Sequence, residues 1–173
     1  GLWPQAVRLR VLESHDRSQS KFSLDGLQAA ANRLKDLKAM AVLKYQLLDK
    51  PQDDTTFSFG DVGSQLAAYL ADDLNTPAIM AYLSDVSRQI QAVLLWHKSL
   101  PHFENMLAAI DDMLGLQLSQ VPDISDNHKQ LVQARETARQ NKDWAAADTA
   151  RNQLLEAGIE LRDTPSGVIW NWA

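Results

Sequence analysis

Ile159-Glu160-Leu161-Arg162-Asp163-Thr164-Pro165-Ser166-Gly167-Val168-Ile169-Trp170-Asn171-Trp172 decides the fold class, because here the hydrophobic period changes from helical to alternating. Residues 159–163 alternate in the manner of a half-buried strand. Thr164-Pro165-Ser166-Gly167 is turn chemistry, and residues 168–172 are rich in β-branched and aromatic strand formers. Together they predict a β-hairpin. Immediately upstream, Gly158 is a good C-cap and Asp143 a good N-cap for a helix over about 144–157, with another helix over about 127–140. Residues 126–173 therefore read as a small α+β module of two helices and a hairpin.

Further upstream the pattern is helical. Leu116 to Ser125, with Pro122, reads as a linker, its boundaries placed at 119–125. Residues 23–118 read as an antiparallel helical bundle. In it, Leu27, Leu34, Leu37, Ala41 and Leu48 recur at three-, four- and seven-residue intervals, predicting one long amphipathic helix over 24–50, capped by Ser23 and ended by Pro51. A helix over 59–72 would turn Val62, Leu66 and Tyr69 or Leu70 inward. Thr76 is expected to cap the next helix, with Pro77 at its first position, and that helix to run to about Trp96. Another follows Pro101 and stops before Gly115. A short helix over 4–15 carries Val7, Leu9, Val11 and Leu12, and its apolar face calls for a packing partner beyond this first element. The fold class is thus mainly α, a bundle followed by a small α+β module.

The 173 residues are 45% hydrophobic and 23% charged, with no Cys and a net charge of −5. That composition excludes a disulfide framework, a thiol nucleophile and a thiolate zinc site. No stretch approaches the length of apolar chain a membrane span needs, and no secretory signal is visible, so a soluble cytoplasmic protein is expected. Gly at position 1 suggests a processed chain or a piece of a longer one. Charge is uneven. Residues 1–50 hold nine Lys/Arg against five Asp/Glu, residues 51–125 two against ten, and residues 126–173 six against seven. Solvated helix faces would explain this, and so would a molecule whose basic and polar ends face a polyanion while its acidic middle faces away.

Chemistry-bearing constellations are few. His15, His97, His102 and His128 lack metal-ligand spacing, no Gly-rich phosphate loop exists, and Asp72-Asp73 and Asp111-Asp112 diverge by about 100° around their helices. No catalytic and no metal-binding residue is expected. The helix over 144–157 offers more. Ala147, Ala150 and Leu154 fall within one arc of the helical wheel, while Asp148, Arg151 and Leu155 lie within about 40° of Trp144 and form a second stripe with it. Arg135 and Arg139, at i and i+4 on the preceding helix, can face the same way. Asp163 and Trp170 on the hairpin could close the surface. An aromatic that stacks bases, with Arg and Asp for their polar edges, suits unstacked RNA. Two core tryptophans and an ordinary Asp148–Arg151 pair would account for the same residues.

The run Ala138-Arg139-Gln140-Asn141-Lys142-Asp143-Trp144-Ala145-Ala146-Ala147-Asp148, with Arg151, Leu154, Gly158-Ile159 and Asp163-Thr164-Pro165-Ser166-Gly167 to Trp170, resembles the C-terminal end of bacterial cysteinyl-tRNA synthetases. Asp72-Asp73-Leu74-Asn75-Thr76-Pro77 resembles that family's DD-hydrophobic-NTP signature. Ser14-His15-Asp16-Arg17 with Phe22-Ser23 resembles the segment leaving its catalytic core, with Asp16 where the family usually has Tyr. The resemblance implies a segment leaving the core over 1–22, a DALR-type bundle over 23–118 contacting the anticodon stem, and an anticodon-binding module over 126–173. It implies tRNA(Cys) as partner, with Arg139, Asp148, Arg151 and Asp163 contacting bases of the GCA anticodon and Trp144 and Trp170 shaping or supporting that surface. The parent enzyme would ligate cysteine to tRNA(Cys) with ATP. Its ATP-binding motifs and zinc site are not in this sequence, so ATP and zinc belong to a catalytic domain missing from this chain, itself a partner, and the chain alone would be non-catalytic. A stand-alone paralogue binding protein or tRNA is the competing reading. The related cysteine ligase of mycothiol synthesis is disfavoured by the hairpin motif.

Overall fold

A computed structural model describes residues 4–13, 23–47, 59–73, 75–93, 95, 97–164 and 167–173. The motif residues 14–17 and 22, Leu48, Pro51, Leu74, Trp96 and the turn residues Pro165 and Ser166 lie outside the described set. The chain forms two compact units, residues 1–121 and 122–173.

The first unit is helical: α1 (Pro4–Leu12), α2 (Leu24–Ala41), α3 (Gly60–Ala71), α4 (Thr76–Val93) and α5 (Leu100–Leu114), with short 3-10 turns at Val42–Tyr45 and His97–Ser99. Its core is the inward stripe of each helix: Leu27, Leu34 and Leu37 of α2, Val62 and Leu66 of α3, Ile79, Leu83 and Ile90 of α4, and Phe103, Leu107 and Ile110 of α5. α1 packs on α2 and α4 through Ala6 and Leu9, while Val7 and Val11 are exposed. Its packing partner is thus supplied within this unit.

Three local features depart from the pattern-based expectation. α2 ends at Ala41 rather than continuing to residue 50. Its last turn tightens into the 3-10 turn, which buries Val42 and Leu43 and lets Lys44 Nζ donate to Ser119 O at 2.6 Å and Tyr45 Oη to Val121 O at 3.1 Å. Asn75, not Thr76, caps α4: its Oδ1 accepts from Ala78 N at 3.3 Å, and its carbonyl accepts from Ile79 N at 3.2 Å. Residues 116–121, expected as the start of a linker, are packed. Leu116, Leu118 and Val121 are buried, and the Asp111 carboxylate accepts from Leu118 N at 2.6 Å and Ser119 N at 2.8 Å. Gly115 ends α5 as expected, in the left-handed region at φ 65°.

The second unit contains α6 (Asp126–Gln140), α7 (Trp144–Glu156), β1 (Ile159–Thr164) and β2 (Gly167–Trp172), the strands pairing antiparallel with Leu161 opposite Trp170 and Asp163 opposite Val168. Ser125 caps α6 through His128 N, and Asp143 caps α7 through Ala146 N at 3.0 Å. α6 and α7 meet through Ala138, Ala147 and Ala150, small side chains that let two helix backbones come close. Leu154, Ile159, Ile169 and Trp170 complete the core. Trp172 Nε1 donates to Pro122 O at 3.0 Å and ties the end of the hairpin to the start of the unit.

Candidate nucleic-acid interface

α7 divides its side chains cleanly. Ala147, Ala150 and Leu154 are buried, while Trp144, Asp148, Arg151 and Leu155 are exposed along one stripe. Trp144 occupies the first turn of α7 with 61% of its surface open. An indole left this bare is available for stacking, since its burial would otherwise stabilise the unit. Asp148 and Arg151, spaced i and i+3, do not form an ion pair, and among the described residues neither side chain carries a hydrogen bond. Their donors and acceptors remain open to a ligand.

The second cluster joins α6 to β1. Arg135 lies with only 6% of its surface exposed, and its guanidinium fork holds Asp163, Nη1 donating to Oδ1 at 2.8 Å and Nη2 to Oδ2 at 3.1 Å. Nη1 also donates to Glu136 Oε1 at 2.7 Å. Arg139, one turn later and more open, donates through Nη1 to Asp163 Oδ2 at 2.6 Å. The Arg135 fork above all, joined by the Arg139 hydrogen bond, holds the Asp163 carboxyl far below the usual carboxylate range against the opposing effect of burial. A buried guanidinium requires such a partner, because an unpaired charge there would be strongly disfavoured.

Of the six residues singled out from the sequence, Arg139 and Asp163 are bonded to each other, and Trp144, Asp148 and Arg151 share the α7 stripe. Among the described residues, no hydrogen bond or ion pair links the two groups. Trp170 is buried at 5% exposure and packs edge-on against Trp172, ring centroids 6.0 Å apart at 81°. It is a core residue under the hairpin, in a position to support the surface and not to stack on a ligand. Arg135 is the residue that sequence reasoning undervalued. Its i, i+4 relation to Arg139 was visible, but its pairing with a strand 28 positions away was not.

Other chemistries find little footing among the described residues. No group of three or more His, Asp or Glu side chains could hold a metal ion, and no helix is long and apolar enough to cross a membrane.

Comparison with known proteins places this geometry in context. Residues 121–170 match the family model of the cysteinyl-tRNA ligase anticodon binding domain. The chain is 35% identical over 178 residues to a cysteine–tRNA ligase of Shewanella baltica strain OS223, covering 96% of the chain and 37% of that protein. It is 32% identical to one from Lactobacillus helveticus (96% of the chain, 38% of the relative) and 31% identical to one from Chlamydia felis (96% and 37%). The chain therefore spans a little over a third of the length of these relatives.

Proposed function

We propose, from the premise that the chain belongs to the cysteinyl-tRNA ligase family and carries its anticodon-binding domain, that this domain reads the GCA anticodon of tRNA(Cys). One observation supports the reading most: within the matched residues, α7 presents a bare indole, an open carboxylate and an open guanidinium along one stripe. Trp144 would stack on an unpaired base. Asp148 and Arg151 would accept from and donate to base edges, and Arg139, held by Asp163, would add further donors. Trp170 would keep the hairpin in place from below.

The whole protein, on this reading, ligates cysteine to tRNA(Cys) with ATP, and these 173 residues contribute binding rather than bond making. ATP and zinc would act in a catalytic domain that works together with this chain. The residues present do not fit the zinc site that the resemblance implies, since the sequence has no Cys and the described residues form no ligand cluster.

The test is a binding titration of the chain with tRNA(Cys) transcripts carrying GCA or single-base changes in the anticodon. GCA should bind best, each change costing about 1–3 kcal/mol where a base contact is lost. Trp144→Ala should weaken binding by about 1–3 kcal/mol through lost stacking while changing stability by no more than about 0.5 kcal/mol. Equal affinity across all anticodons would overturn the proposal.

A further inference from the structure

Three hydrogen bonds converge on one carboxylate, and their geometry decides what that carboxylate can do. Ionised Asp163 offers about four lone-pair sites, and the Arg135 fork and Arg139 take three of them. It retains room for at most one further donor, whereas Arg139 keeps four of its five N–H donors. Arg135 itself is sealed in, its remaining neighbour being Glu136. Its charge is offset locally, and RNA has no path to it.

Resting on the anticodon reading, we propose that Arg135 is a positioning residue for specificity: its buried fork fixes the plane of the Asp163 carboxylate, and through it the Arg139 guanidinium that faces the anticodon. A single hydrogen bond leaves a guanidinium free to swing. The same bond to a carboxylate locked in plane by a bidentate partner narrows that freedom, because the acceptor lone pair is itself oriented. Arg139 is then presented ready-made, and the ordering of its side chain is completed during folding rather than during binding. Lys cannot replace Arg135 in this role. An ammonium keeps the charge but lacks the planar pair of donors that sets the carboxylate plane.

The experiment compares wild type, Arg135→Lys, Asp163→Asn and Arg139→Ala, each tested for affinity toward the GCA transcript and toward single-base anticodon variants, with unfolding followed separately. Arg139→Ala should lower the discrimination ratio at one anticodon position by about 5- to 100-fold. Arg135→Lys should lower the ratio at that same position by a similar factor, and adding Arg139→Ala to it should cost little more. A merely structural arginine would weaken all transcripts alike and leave the ratio intact, which would overturn the proposal. Should Arg135→Lys fail to fold, Asp163→Asn, which keeps the shape and removes the ionic anchor, carries the same expectation. Wild type that discriminates, with Arg139→Ala losing the ratio while Arg135→Lys and Asp163→Asn keep it, refutes the positioning role alone. Wild type that does not discriminate refutes the anticodon reading and this inference together.

Discussion

Protonating Asp163 removes the partner of a buried cation, so its titration is a folding event as well as a local one. The Arg135 fork lowers its folded pKa below the ordinary carboxylate value near 4. A depressed carboxylate stabilises the fold fully above its unfolded pKa and loses that contribution as pH falls toward the folded one. Wild type should therefore exceed Asp163→Asn in urea midpoint at about pH 7, and the gap should narrow steadily below about pH 4. A gap independent of pH would show that the carboxylate charge contributes nothing. How much of this was legible depends on the distance over which residues interact. The stripe Trp144, Asp148, Arg151 follows from helical period alone and is present as read. The buried state of Arg135 does not follow from any period, because it depends on β1 coming to lie beside α6, a pairing across 28 residues. Trp170 is an intermediate case. Its place on the hairpin is compatible with closing the surface or with packing in the core, and only its burial, opposite Leu161 and edge-on to Trp172, decides between them.

Secondary structure was legible where one residue type had a single physical use. Asp143 and Ser23 could act only as caps, and Gly115 only as a left-handed stop, and all three do so. Ambiguity arose where adjacent residues competed for one job. Asn75 and Thr76 are both good N-caps, and choosing Thr76 put the start of α4 one residue late. In the structure Thr76 already belongs to the helix, and Asn75 receives the free amide of Ala78. Asn75→Ala should cost about 0.5–2 kcal/mol in unfolding free energy, and Thr76→Ala less than about 0.5 kcal/mol. The reverse order would restore Thr76 as the cap. The early end of α2 has a different origin. Its apolar spacing continues past Ala41, but Lys44 and Tyr45 bond to the carbonyls of Ser119 and Val121, and these tertiary partners favour a tighter turn over further α-helix. The sequence held no local sign of those carbonyls.

At the scale of the molecule the question is how a chain of net charge −5 would bind the polyanion proposed as its partner. Affinity for phosphates scales with the number of cations that displace condensed counterions, and so does its salt dependence. In residues 126–173 few cations are available for that. Of six Lys/Arg, Arg135 is buried, Lys129 pairs with Asp123 at 2.5 Å, and Arg139 is shared with Asp163. An anticodon stem-loop that touches only this unit should neutralise at most about three phosphates, giving a slope of log K against log salt no steeper than about −2 to −3. The first fifty residues hold nine Lys/Arg against five acids, and α2 carries Arg33, Lys35 and Lys38, although Arg33 lies 2.9 Å from Glu13 and burial lowers the pKa of Lys38. If that basic end faces tRNA while the acidic middle faces away, whole tRNA(Cys) should show a slope steeper than the stem-loop by at least about one unit. Titrations of both RNAs from about 50 to 200 mM salt decide it. Equal slopes would mean that the charge asymmetry is only solvated helix surface, and that recognition rests on the stacking and hydrogen bonding of the last fifty residues.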